Sequence, residues 1–308
     1  MRDLSIVIAS WNARDYLLKC LGSIERSPAD HSREIIVVDN GSEDGSAEAV
    51  RADHPEVQLI HNEKNLGFAK ANNQGVRASE GRYIALINSD IKVMDDCMDA
   101  LVDYLDEHPD VGIAGPRILN ADQSLQPSCR RLPSPLNLIA EALGLPNILP
   151  RSGTFMGEWA HDREENVEVL SGCFWIVRRE ALDTVGLLDE DFFIYGEDVD
   201  WCKRFADCGW RVRFTPVAQS VHYGGGSSAN APVRFFIEMQ KANLHYWGKH
   251  YGGAGRFFFM TTLLLHQLLR LPVRWIQYLA FPEGRENSRH KIERSLACLR
   301  WLFLREAA

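Results

Sequence analysis

Two hydrophobic rhythms alternate along the first part of the chain. LSIVIAS (4–10), EIIVVDN (34–40), VQLI (57–60) and RYIALINSD (82–90) are short, continuous apolar runs. Such runs predict strands, and the continuous β-branched run of 34–40 suggests burial on both faces. Between them, YLLKCLGSI (16–24), GFAKANNQGVRAS (67–79) and MDDCMDALVDYLDEHP (94–109) place apolar residues at helical intervals. GSEDGS (41–46) reads as a turn into a short helix, with Ser46 at the N-cap.

The β-α-β-α order predicts an α/β fold, a doubly wound and mostly parallel sheet covered by helices. Ligands of such sheets bind beyond the carboxyl ends of the strands. Three of those ends are polar here: Ser10-Trp11-Asn12, Asp39-Asn40 and Asn88-Ser89-Asp90. One polar strand end is unremarked in any sheet; three mark a candidate site. From about 120 to 165 the rhythm fades into proline and a short apolar helix candidate, expected to be an irregular excursion over the cleft. Order returns with VEVLSGCFWIVRRE (167–180), a strand into a helix start. The expected division is a catalytic domain over 1–250 and a helical extension over 251–308. Within the first, 1–118 would be the nucleotide-binding half and 119–250 the acceptor half.

In the tail, Thr262, His266, Arg270, Arg274 and Gln277 recur every three or four residues within RFFFMTTLLLHQLLRLPVRWIQYLA (256–280). They predict an amphipathic helix kinked at Pro272, too interrupted to span a bilayer. Charge sharpens this picture. The 308 residues carry a net −8, yet Arg256–Ala308 holds nine Lys/Arg against four Asp/Glu. An apolar, basic tail on an acidic body suits an anionic membrane surface, with the basic residues facing lipid. The competing use is packing on the catalytic domain or in a homodimer. An acidic body is a poor platform for nucleic acid. Seven cysteines without C-x-x-C pairs suggest no disulfide framework or zinc site. The opening apolar run is too short for a signal peptide. The expected location is cytoplasmic, peripheral at the inner face of the cell membrane if the tail binds lipid.

YGEDVDWCKR (195–204) concentrates Glu197, Asp198 and Asp200 beside Trp201. On a helix over 197–208, Val199, Cys202, Phe205 and Ala206 would share an apolar stripe. Asp198 falls on its edge, Asp200 and Arg204 point away, and Glu197 is off the stripe. An inward carboxylate in the first turn, favoured in its ionised form by the helix dipole, is what a general base requires. The alternative is ordinary acidic decoration of a helix start.

SIVIASWN, VVDNGSEDGS, NLGFAKANNQG, INSD, SGCFWIVRRE, FFIYGEDVDWCKR and HYGGGS occur in an order that resembles the family 2 glycosyltransferases, rhamnosyltransferase-like members above all. The likeness spans 4–228, with a weaker echo in KANLHYWGKHYG (241–252). It implies the glycosyltransferase A type of nucleotide-sugar transferase fold, a divalent metal (Mg2+ or Mn2+), and transfer with inversion. The implied donor is a pyrimidine nucleotide sugar such as dTDP-rhamnose, with a UDP-hexose or UDP-hexosamine as the alternative. The implied acceptor is a glycan or polyprenyl-linked saccharide of the cell envelope. By the same likeness Asp39 contacts the base, with Ser10, Asn12 and Asn88 also on the nucleotide side. Asp90 and His222 reach the metal or diphosphate, and Asp198 is the base. On the residues alone, Glu197 is the competing base or a partner orienting the acceptor, and Trp201 either packs on a sugar face of the acceptor or belongs to the core. Asn88 replaces the first acid of the family's Asp-x-Asp pattern. That replacement is the best support for a rival reading, an inactive glycan-binding module. A sugar-phosphate nucleotidyltransferase would need a glycine-rich phosphate loop where this chain has SWNARDYL, and no G-x-G-x-x-G follows a strand. The Gly/Ser run after His222 is a candidate hinged lid.

Overall fold

In the computed structural model, residues 2–156, 159–224 and 231–304 are described. The expected lid lies mostly at 225–230, outside them. The sheet contains β1 (Leu4–Ser10), β2 (Arg33–Asp39), β3 (Gln58–His61), β4 (Tyr83–Asn88), β5 (Ile91–Val93) and β6 (Val111–Leu119). Two short strands, β7 (Cys129–Arg130) and β9 (Val169–Leu170), pair with each other. β8 (Glu165–Asn166), β10 (Phe174–Arg178) and β11 (Arg211–His222) complete the main sheet. Its order is β3-β2-β1-β4-β10-β6-β11-β5, with β8 on β11. β1 to β4 are mutually parallel, β6 and β11 are parallel, and β10 runs antiparallel between the two groups.

β1 shows why the apolar runs are continuous. Ile6 and Ile8 pack with Leu17, Leu21 and Ile24 of α1 (Arg14–Arg26) and with Leu101 and Leu105 of α4 (Cys97–Glu107). Val7 points to the opposite face and joins Val76 of α3 (Phe68–Ala78), Trp175, and Trp201 and Phe205 of α7 (Glu197–Asp207). Successive strand residues face opposite sides, so both faces must be apolar. α2 (Ser46–Asp53) begins after Gly45, which takes a left-handed conformation at the N-cap in place of Ser46. β6 carries no alternation that set it apart in the sequence, and it is buried nearly throughout.

Arg178 and Arg179, both half-buried, close the ends of neighbouring helices. Arg178, at the antiparallel end of β10 opposite Tyr83, donates to the carbonyls of Leu105 and His108, closing the last turn of α4. Arg179 opens α6 (Arg179–Val185) and donates to the carbonyls of Ser79 and Gly81, after the end of α3. Cations at helix C-termini satisfy exposed carbonyls and complement the dipole.

A second compact unit holds α5 (Pro135–Leu143), α8 (Pro232–Ala280) and α9 (Arg285–Leu304). α5 is a defined helix inside the stretch expected to be irregular. Ser134 and Asn137 form a reciprocal capping box, Pro135 takes the first position, and Gly144 closes it with φ 76°. α8 continues through Pro272; its break is at Gly252, with φ 66° and ψ −157°, where only glycine sits without strain. Among the described residues no helix is long and apolar enough to cross a membrane.

Candidate active site

Adjacent strands align three of the expected residues. Ser10 is in register with Asp39, and Ala9 with Asn88. Parallel neighbours lie about 4.8 Å apart, so β2, β1 and β4 set Asp39, Ser10 and Asn88 in a row along the carboxyl edge. Ser10 Oγ, Asp39 Oδ1 and Asn88 Oδ1 are buried, with no hydrogen-bond partner among the described residues. Each such orphan costs about 1–3 kcal/mol, and a polar ligand at this edge would relieve all three. The other Asp39 oxygen lies 2.7 Å from His61 Nδ1 at the end of β3. Asn12 does not share the pattern. Its Oδ1 accepts from Glu43 N at 2.8 Å and its own N–H donates to Ser42 Oγ at 2.9 Å, bracing the loop after β2.

Asp90 and His222 meet because β5 runs antiparallel to the end of β11, pairing His222 with Ile91. His222 Nε2 is 3.2 Å from Asp90 Oδ1. The ring's orientation follows from a chain of partners. Asn120 Nδ2 donates to the Leu125 carbonyl, which leaves Asn120 Oδ1 to accept from Gln126 Nε2 at 2.8 Å. Gln126 Oε1 then accepts from His222 Nδ1 at 2.7 Å. With its proton on Nδ1, the neutral ring turns the Nε2 lone pair toward a carboxylate oxygen. One carboxylate and one imidazole nitrogen, the latter held by a second layer of partners, fit a hard divalent cation. Two protein ligands leave positions for diphosphate oxygens and water.

α7 carries the acidic cluster. Its buried column is Asp198, Trp201, Cys202 and Phe205, the i, i+3, i+4, i+7 set of one helix face. Asp198 therefore lies on the core-side column, while Ala206 is exposed. Asp198 Oδ1 accepts from Val199 N at 2.8 Å, and Oδ2 pairs with the Arg130 guanidinium. Glu197 beside it is buried, and Oε2 has no hydrogen-bond partner among the described residues. Burial, and then the Asp198 charge, push its carboxyl well above the usual range. Asp200 does not point away: it is fully buried and pairs with Arg204 Nε at 2.9 Å. Arg204 in turn donates to the carbonyls of Val185 and Leu187, which draws both side chains inward. Trp201 is only 1% exposed, packed on Trp175 and Phe205, with Nε1 donating to the Gly186 carbonyl. Its ring presents no open face for a sugar.

The turn before β10 links α7 to the strand ends. A Cβ on Gly172 would lie 3.5 Å from Asp198 Cβ. The next residue, Cys173, accepts from Asn88 N at 2.9 Å. The charges of Asp90 and Asp198 both help to raise the Cys173 thiol, after burial, to about 12. The acidic residue of α7 and that of the β4–β5 turn thus both lie near this turn. Arg130, Gln126 and His61 were not among the sequence candidates. Arg130 and Gln126 come from the stretch without rhythm, and only their tertiary partners identify them.

The Glycosyl transferase family 2 pattern matches residues 5–186. Among characterised relatives, N-acetylglucosaminyl-diphospho-decaprenol L-rhamnosyltransferase of Mycobacterium tuberculosis is 28% identical over 267 residues, covering 82% of this chain and 86% of that protein. The dTDP-rhamnosyl transferase RfbF of Shigella flexneri is 27% identical, covering 79% of each. Among solved structures, the mannosyltransferase PcManGT of Pyrobaculum calidifontis, with GDP-Man and Mn2+, aligns over 99% of this chain and 90% of its own. Its TM-score is 0.56 at 17% identity. GalNAc-T7, solved with UDP, GalNAc and Mn2+, has TM-score 0.57 at 15% identity over 82% of this chain; the match spans about half (51%) of GalNAc-T7. Both share the fold.

Proposed function

The chain belongs to glycosyl transferase family 2, and from that premise we propose that it transfers L-rhamnose from dTDP-rhamnose, with inversion, to a hydroxyl of a lipid-linked or other cell-envelope saccharide. The relatives named for rhamnosyl transfer support the sugar. The observation that carries the mechanism is the Gly172–Cys173 turn, which lies against Asp198 and is bonded to Asn88, two residues before Asp90. In this reading residues 1–250 perform catalysis and 251–308 are an appended helical extension.

Asp39 Oδ1, held by the His61 contact to its sister oxygen, accepts the N3–H of the pyrimidine, and Ser10 Oγ and Asn88 Oδ1 gain partners from the nucleotide or sugar. Asp90 and His222 would hold Mg2+ or Mn2+, with Gln126 fixing the ring. A cation held by these two residues would supply charge neutralisation for the departing nucleoside diphosphate. Asp198 has two hydrogen bonds and keeps acceptor capacity for a third. It takes the proton of the acceptor hydroxyl as that oxygen bonds to the anomeric carbon, opposite the breaking bond to the diphosphate. Arg130 holds the carboxylate in place, and protonated Glu197 donates to the acceptor.

Calorimetric titration with dTDP and UDP, each with Mn2+, followed by turnover of dTDP-rhamnose, tests this reading. Tighter dTDP binding and release of dTDP support it. Preference for UDP moves the donor to a UDP-hexose or UDP-hexosamine, and binding without turnover favours a glycan-binding module.

A further inference from the structure

The second half of α8 turns a row of large apolar side chains outward, while part of what it buries is polar. α9 packs back along α8, tied by Arg274, which donates to the Lys291 carbonyl at 3.0 Å and pairs with Ser295. The buried residues of the two helices include Thr262, Gln267, Ser288 and Ser295 beside Phe259, Leu263, Ile292 and Cys298. Phe257, Leu268, Val273, Ile276, Leu279 and Phe281 are turned outward, from 51% to 74% exposed. Of the expected polar stripe, Thr262 is buried, Arg274 is tied to α9 and Arg270 donates to the Glu141 carbonyl of α5, while Gln277 at its end is exposed. In the same unit Leu136 and Ile148 are 81% and 78% exposed. A helical pair in water encloses its apolar face, because exposing large side chains forgoes about 1.5–3 kcal/mol each. A pair in contact with hydrocarbon does the opposite.

From this exposed apolar row we propose that the α8–α9 hairpin docks on an anionic lipid leaflet, the outer face of α8 lying in the acyl–headgroup boundary. Charge selects this occupant over a second copy of the chain. No acidic residue occurs between Glu238 and Glu283, and Arg256–Ala308 carries a net +5 on a chain of net −8. Anionic headgroups neutralise that charge, whereas a second hairpin would add the same charge again. Trp275 and Tyr278 supply the amphipathic rings favoured at the membrane–water boundary. The hairpin lies along the surface and does not cross it, consistent with the absence of a spanning helix among the described residues.

Co-sedimentation of the full chain with vesicles tests the proposal without donor or acceptor, so its outcome is separate from that of the catalytic reading. The probes are phosphatidylcholine vesicles with and without about 30% phosphatidylglycerol. The wild type should pellet with the anionic vesicles and much less with the neutral ones. The Ile276→Glu/Leu279→Glu variant, changed only at exposed positions, should lose roughly tenfold or more in partitioning. If that variant does not fold, quenching of wild-type tryptophan emission by acyl-brominated phosphatidylglycerol vesicles decides: quenching supports the proposal and its absence overturns it. Failure of the wild type to pellet, or equal pelleting with both vesicles, overturns it. So does a lipid-free dimer that the double variant converts to a monomer, since a second copy would then cover the face.

Discussion

Glu197 holds its proton because burial and the neighbouring Asp198 charge raise its pKa to about 8 from 4.5. The folded state therefore binds that proton more tightly than the unfolded chain. The stability it contributes is complete below about 4.5 and is lost as pH rises through about 8. Glu197→Gln mimics the protonated form at every pH. Its melting temperature should gain on the wild type's as pH climbs from about 5 to about 9; parallel curves would contradict the assignment. At His222 the ring is fixed by Gln126. Gln126→Leu should raise the Kd for Mn2+ by about 10–100-fold in a calorimetric titration, with little change in metal-free melting. An unchanged Kd would remove Gln126 from the site. Sequence reasoning found Asp198 because helical periodicity points it inward. It missed Gln126 and Arg130 because nothing local distinguishes a glutamine or an arginine in a proline-rich stretch. It placed Asp200 outward because the pattern marks apolar faces, and it does not register a buried ion pair such as Asp200–Arg204.

Elements were legible where burial on two faces imposes a rhythm, as in β1, β2, β4 and α4. The split of 167–180 into β9, the 171–173 turn and β10 was less so, yet that turn carries Gly172 against Asp198. The tail periodicity was visible, but the partners of its polar stripe come from α5 and α9 and not from the helix itself. Packing also overrides propensity inside α3. A Cβ at Gly75 would lie 2.2 Å from Val7 Cγ1 on the central strand. Alanine favours an isolated helix by about 1 kcal/mol, but overpacking this contact costs about 1–3 kcal/mol. Gly75→Ala should therefore lower the urea midpoint; a rise would mean that the interface relaxes freely.

At the scale of the whole molecule, the mixed sheet places the unpaired oxygens of Ser10, Asp39 and Asn88 along one edge, where successive parallel strands end. The row of Asp39, Ser10 and Asn88 and the Asp90–His222 pair follow from strand order and register rather than from proximity in sequence. A pyrimidine nucleotide bound there stabilises the fold by mass action, about 2.7 kcal/mol at a hundredfold excess over Kd. The melting temperature should rise with dTDP and Mn2+ together, and less in Asp39→Ala. The central claim is that Asp198 acts on the proton and not on the donor. It is tested most directly by single-turnover release of dTDP from Mn2+-loaded dTDP-rhamnose with a saccharide acceptor present, comparing wild type with Asp198→Asn at matched donor and acceptor occupancy. The account predicts equal dTDP affinity and a rate lowered by about 10²–10⁴-fold in the variant. An undiminished rate would contradict it.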